Sequence, residues 1–354
     1  FEMTNKDQRV QYRLESKYDI SRYFNLMGGI ELQHFSYKRL FNTGGVAYTP
    51  GFTETSFAAY AEGEWKPSKK LAIKPGLRFE HSELLKQDVV APRLSAAVRA
   101  GTFGQFAVAG GMFFQNPDNL YLLYGYRPKL QQSVHYIANY QWNKSDRTLR
   151  TEVYYKEYSQ LVRERVTSFN PNQFRNYLGG ITIDNSGSGY AKGFELFWRD
   201  RKSVKNLDYW VSYSYIDTRR LYSNYLAEAT PTFISDHNLN LISKYYIEKL
   251  QTQINMTYSY ASGRPYYNMT NPVFLADRTP DFHSLSFTAN YLTHVKKWFC
   301  VVYAGVDNVT NRHNIFGYRY SADGSTRTEI KPALYRSFFV GVNFSLTEFN
   351  KDEL

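Results

Sequence analysis

Apolar and polar residues alternate one by one along much of this chain. In YRSFFVGVNFSL, Phe338, Val340, Val342, Phe344 and Leu346 fall on one face, and Ser337, Gly341, Asn343 and Ser345 on the other. Two residues is the side-chain period of a β-strand, so this alternation predicts a strand with one apolar face. The same split recurs upstream. Leu285, Phe287, Ala289 and Tyr291 oppose Ser284, Ser286, Thr288 and Asn290, and Ile254, Met256, Tyr258 and Tyr260 oppose Gln253, Asn255, Thr257 and Ser259. Leu71, Ile73, Pro75, Leu77 and Phe79 oppose Ala72, Lys74, Gly76, Arg78 and Glu80. No helical period competes over a comparable window. The polar face carries Gln, Asn, Arg and Glu, which suits a wet interior better than the dry core of a sandwich.

The connections alternate in length. Short polar turns are predicted at Pro67–Lys70, Gly101–Gly104, Asn143–Asp146, Asp200–Lys205, Glu248–Lys249 and Thr293–Lys297, with long loops near 38–53, 115–131, 160–189, 218–233, 263–280 and 309–334. Bacterial outer-membrane barrels show this asymmetry, with short periplasmic turns and long extracellular loops. The fold class this predicts is all-β, a transmembrane antiparallel up-and-down β-barrel whose last strand ends in the periplasm. The count is about fifteen strands, starting near Gln8–Tyr18, whereas such barrels have even numbers. At least one strand is therefore expected on the N-terminal side, and the initial Phe1 is expected to be no natural N-terminus. Residues 1–347 read as barrel and 348–354 as a short charged periplasmic tail.

Composition sharpens this picture. Of 354 residues, 18% are aromatic, with 32 Tyr against 22 Gly, yet mean hydropathy is −0.52. A barrel reconciles the two, since aromatic girdles mark the bilayer surfaces while every second residue faces a polar lumen. No stretch approaches the roughly 20 apolar residues of a membrane helix. The single cysteine, Cys300, forms no internal disulfide. The net charge of +11 is dispersed rather than clustered, which argues against nucleic acid as a partner. It points instead to the lumen, to outer-membrane lipid and lipopolysaccharide, or to an anionic ligand.

Several local strings resemble the TonB-dependent receptors, especially those of Bacteroidetes-type bacteria. SFAAYAEGEWKPSKKLAIKPGLRFEH (56–81) is similar to that family's hairpin ending in a GLR-[FY]-[ED] strand. APRLSAAVRA (91–100), GMFFQNPDNLYLLYG (111–125), LRTEVYYKEYSQLV (149–162) and AKGFELFWR (191–199) resemble the segments that follow, as do DHNLNLISKYY (236–246), SGRPY (262–266), AGVDNVTNRHN (304–314) and the closing FFVGVNFSL. They occur in the family's order. The resemblance implies a barrel of about 22 strands filled by an N-terminal plug, with a TonB-binding box ahead of it. This chain would supply the C-terminal strands, and TonB would act through the absent N-terminal region. The implied function is active import of a nutrient, whether siderophore, haem, cobalamin, oligosaccharide or peptide. A structural or assembly subunit, working with surface lipoproteins or other complex subunits, and a passive porin are the alternatives.

Candidate functional residues follow from the alternation. Charge is expected inward, because Lys or Arg facing lipid costs about 2–4 kcal/mol at mid-bilayer. That places Arg78, Glu80, Arg93, Arg99, Glu152, Lys156, Glu195 and Arg199 on the lumen side, where the resemblance implies plug contact; lumen solvation is the plainer role. Tyr121, Tyr124, Tyr126, Tyr266 and Tyr267 are loop aromatics suited to ligand contact or to girdle and loop packing. Arg220, Arg264 and Arg278 suit an anionic ligand or lipopolysaccharide phosphate. Phe338, Val340, Val342, Phe344 and Leu346 look like the C-terminal strand signal read by barrel-assembly machinery.

Other motifs carry no weight. The terminal KDEL matches an endoplasmic-reticulum tag, a route the barrel pattern contradicts. The sequons at Asn143, Asn268, Asn308 and Asn343 are chance matches. The His residues show no metal-ligand spacing, so no metal or cofactor is expected; His237 is read as pairing with Asp236 at a strand rim. Gly187 and Gly189 open no helix, and no GxSxG nucleophile motif occurs. No enzyme activity is expected.

Overall fold

A computed structural model describes residues 2–43, 46–169, 180–321 and 323–345. Strands dominate them. The N-terminal strands are β1 (Glu2–Ser21), β2 (Phe24–Thr43), β3 (Val46–Tyr48), β4 (Gly51–Ser68), β5 (Leu71–Ser82), β6 (Gln87–Ala100) and β7 (Gly104–Gln115). After a short helix, α1 (Asn119–Leu123), come β8 (Gln131–Lys144), β9 (Arg147–Glu164), β10 (Ile183–Asp200), β11 (Leu207–Leu221), β12 (His237–Ile247) and β13 (Thr252–Ala261). The rest are β14 (Pro265–Tyr266), β15 (Asp277–Arg278), β16 (Phe282–Val295), β17 (Trp298–Asp307), β18 (Gly317–Tyr320), β19 (Arg327–Ile330) and β20 (Ser337–Ser345). Among the described residues no helix is long and apolar enough to cross a membrane.

Among the described residues sixteen strands form one sheet in the order β1-β2-β4-β5-β6-β7-β8-β9-β10-β11-β12-β13-β16-β17-β20, with β3 attached to β2. Setting β3 aside leaves fifteen strands in chain order without a crossover, matching the number read from alternation. β14–β15 and β18–β19 are separate hairpins.

The chain divides into two compact units, the first comprising Phe1–Ala138, Tyr154–Lys192 and Thr218–Ala229, the second Asn139–Val153, Gly193–Asp217 and Thr230–Leu354. In the first unit the register aligns apolar side chains across strands. Leu14 pairs with Ile30, Ile30 with Ala59, Ala59 with Phe79 and Phe79 with Val90. Leu14 is 69% exposed and Ile30 and Val90 about half. A continuous apolar row left bare is disfavoured in water, so this face meets hydrocarbon. The opposite face brings Glu15, Gly29, Tyr60 and Arg78 side by side.

The second unit repeats the design. Leu207, Tyr245, Ile254, Ala289, Ala304 and Val340 form one cross-strand row, with Val340 79% exposed. On this face, towards the loop end of the strands, Tyr213, Tyr215 and His237 cluster, and Tyr258, Tyr260 and His283 repeat the cluster. The hydroxyls of Tyr213 and Tyr258 each lie 2.9 Å from a histidine Nδ1. Amphipathic rings at this height form an aromatic girdle. His237 therefore pairs with Tyr213, not with Asp236, which binds Arg278 at 2.7 Å.

Several expectations are corrected. The loops predicted near 38–53 and 160–189 are partly strand, since β2 runs to Thr43, β4 starts at Gly51, β9 runs to Glu164 and β10 starts at Ile183. A bilayer crossing needs only about 9–11 residues, so these strands extend past it, where both faces turn polar and alternation fades. The first strand spans Glu2–Ser21 rather than beginning near Gln8. The β5–β6 connection, residues 83–86, is short although it lies on the long-loop side. Leu346 and the tail 348–354 lie outside the described residues.

Candidate functional site

A polar cavity opens at the loop end of the first unit. Its roof is built by the segment after β7. The Asp118 carboxylate accepts the Leu120 amide at 2.9 Å and caps α1. Leu122 and Leu123 bury against Tyr37, Phe52, Leu85 and Leu130, which clamps the helix over β2 and β4. With α1 fixed, Tyr121 is 3% exposed, and its hydroxyl donates to Glu164 Oε1 at 2.7 Å. Ser223 Oγ donates to the same oxygen at 3.3 Å, tying α1 to the ends of β9 and β11.

Beneath lies a cavity of about 600 Å³. Glu54 at its wall is 2% exposed and accepts Ser82 Oγ at 2.8 Å and the Leu84 amide at 3.1 Å. Arg9 lies over the Phe35 ring at 5.2 Å, and Arg220 over Tyr158 at 4.4 Å. Below the cavity on the same face, Gln11 Nε2 donates to Glu31 Oε1 at 2.8 Å, and Arg78 bridges Glu31, at 3.6 Å, and Glu80. Next to them Arg13 Nε donates to the Tyr60 hydroxyl at 3.0 Å, which donates to Glu15 Oε2 at 2.6 Å.

Of the loop residues singled out from sequence, Tyr121 and Arg220 line this cavity. Tyr124 packs against the cluster around Leu122, and the Tyr126 hydroxyl accepts the Ile181 amide at 2.6 Å. The others belong to the second unit. Arg264 lines a cavity of about 320 Å³ with Ser235 and Phe316. Arg278 is held by Asp236 at 2.7 Å and by the Gly263 carbonyl at 2.9 Å. Tyr266 packs at a tilt against Tyr318, ring centres 4.6 Å apart, and accepts Arg327 Nη1 at 2.9 Å, and Tyr267 packs on Phe274.

Among the residues expected inward, Arg78 and Glu80 join the network above, and Arg93 lies over Phe113 at 4.5 Å. Arg99 lines a turn-end cavity of about 420 Å³ with Arg22, Lys69 and Lys70. Lys156 Nζ sits 4.8 Å from the Tyr154 ring centre. Arg199 makes a bidentate pair with Asp208 at 2.9 and 2.5 Å and lies over Trp210. Glu152 is half-buried and Glu195 exposed. In the closing strand Phe338, Val340, Val342 and Phe344 are all at least half exposed.

Sequence reading missed Arg9, Glu54, Glu164 and the amide residues around α1. Glu54 lies one residue past the predicted loop 38–53, and Glu164 falls within 160–189. Thr53, Glu54 and Thr55 are polar in succession, so no local alternation marked Glu54.

Antiparallel strands with bare apolar rows, a girdle and a charged opposite face define an outer-membrane β-barrel. The chain belongs to the TonB-dependent receptor β-barrel family: the family described as "TonB dependent receptor-like, beta-barrel" matches residues 2–309. It is similar in fold to the outer membrane transporter YddB of Escherichia coli, with a TM-score of 0.70 and 11% identity over 96% of this chain and 54% of that one. It is similar also to the ferric yersiniabactin uptake receptor FyuA of Yersinia pestis, at 0.68 and 15% over 97% and 54%. The ferric-catecholate import receptor Fiu of E. coli K12 gives 0.71 and 11% over 96% and 54%. At these identities the likeness is one of fold. The chain spans about half the length of these structures. No curated protein sequence matches it.

Proposed function

We propose that the whole protein is an energised outer-membrane importer. It binds a scarce nutrient at the outer mouth and admits it when TonB, from the periplasmic side, moves a plug out of the lumen. The observation that carries this reading is the cavity of about 600 Å³ at the loop end of the first unit. It sits on the same face as the charged track through Gln11, Glu31, Arg78 and Glu80. A site of this size suits a small ligand, and the track continues from it towards the turn end. In this reading the long loops are extracellular and the short turns periplasmic. Arg78, Glu80, Arg93, Arg99, Glu152, Lys156, Glu195 and Arg199 face the plug, and the closing strand from Phe338 serves barrel assembly.

Uptake of the cargo by cells carrying the whole protein, measured with and without a protonophore, tests this. Uptake should collapse when the proton gradient is dissipated. An unchanged rate would contradict the proposal and favour a passive pore.

A further inference from the structure

The lining of the loop-end cavity discriminates between ligand chemistries. Six carboxamides face it: Gln33, Gln115, Asn116, Asn119, Gln131 and Gln132. A carboxamide donates through its nitrogen and accepts through its oxygen, so it complements a hydroxyl, which does both. Flat apolar surfaces come from Phe35, Phe52, Tyr121, Tyr158 and Tyr222, rigid rings against which the C–H face of a sugar packs.

The fixed charges cancel, two cations, Arg9 and Arg220, standing against two anions, Glu54 and Asp118. Each is also engaged within the wall. Arg9 and Arg220 lie on ring faces, Glu54 accepts Ser82 and Leu84, and Asp118 caps α1. A lining of zero net formal charge gives no net attraction to concentrate an anionic metal chelate. Nor does it set out a cation and an anion for the ends of a short peptide, as both signs are already spent on local partners.

We propose that this cavity binds a short neutral oligosaccharide, with hydroxyls on the carboxamides and ring C–H faces on the aromatic side chains. The inference rests on the importer reading and names the cargo class for the same mouth.

The test is calorimetry on the whole protein in detergent, with maltotriose, cellotriose, xylotriose, mannotriose and chitotriose as probes, and ferric citrate, a ferric hydroxamate and trialanine beside them. At least one trisaccharide should bind. Its affinity should change less than about twofold between about 50 and about 500 mM salt, because no ion pair is screened. It should fall by about tenfold or more in Gln33→Ala with Gln132→Ala, which removes two of the carboxamides, while heat-modifiable gel migration shows the barrel still folded. Binding of none of the five sugars, binding of a chelate or trialanine displaced by none of them, or indifference to the double substitution would overturn the proposal. The two readings fail separately. Gradient-independent uptake of a sugar that binds would sink the importer reading alone, and gradient-driven uptake of a chelate with no sugar bound would sink the sugar site alone.

Discussion

At the scale of single residues, close approach and charge placement set what this chain tolerates. A Cβ at Gly29 would meet the Tyr60 hydroxyl at 2.6 Å and the Leu14 carbonyl at 2.7 Å, so glycine is what lets Tyr60 lie flat across β2 to reach Arg13 and Glu15. Gly29→Ala is expected to expel Tyr60 and cost about 1–3 kcal/mol, the usual range for overpacking. Tyr60→Phe keeps the ring and should cost less than about 1 kcal/mol, because the Arg13 and Glu15 side chains are 53% and 39% exposed. Urea unfolding in liposomes should rank the two in that order, and the reverse ranking would refute the steric account. A second residue acts outside the membrane. Ser321 and Ser325 donate to Asp323 in the loop between β18 and β19, holding its carboxyl down at about 2, below its ordinary 3.8. A lowered acid stabilises the loop in its ionised form, fully above the ordinary value and progressively less as pH falls towards about 2. Hydrogen exchange at the Ser325 and Thr326 amides should quicken, beyond its intrinsic pH dependence, only in that window. Asp323→Asn should abolish the step.

At the scale of the strand, face decides outcome. Leu14 and Gln11 both lie on β1, three residues apart and on opposite faces. Leu14→Arg places a guanidinium in hydrocarbon and is expected to cost about 2–4 kcal/mol if near the midplane. Gln11→Arg adds a cation next to Glu31 and should be nearly neutral. Equilibrium folding into lipid vesicles measures both, and equal costs would mean the faces are assigned wrongly. This two-face logic is also why the strands were legible in the sequence. Val340 to Ser345 and Leu71 to Glu80 alternate because lipid and water impose opposite demands every residue. Beyond the bilayer that pressure disappears, and Lys38 to Thr43 or Gln160 to Glu164 read as loop although they are strand. The cavity was hidden for the same reason. Tyr121 and Arg220 stood out as loop aromatic and loop cation, but Glu54, Gln33 and Arg9 converge on them only through the register of β1, β2 and β4, which alternation alone does not fix.

At the scale of the whole molecule, conduction separates a plugged importer from an open pore. The chain carries 43 Lys and Arg against 32 Asp and Glu, and among its inward candidates Arg78 pairs with Glu31 and Glu80 and Arg199 with Asp208. Paired side chains of both signs are compatible with water and ions, so such pairs would not stop conduction through an unfilled barrel. In the proposed importer reading, closure comes from material inside the lumen. The expected result is that the whole protein in planar bilayers shows almost no steady conductance. Stepwise open-channel currents at rest would mean an unfilled lumen and would refute the importer reading, because cargo admitted through a standing pore needs no energy from the periplasmic side.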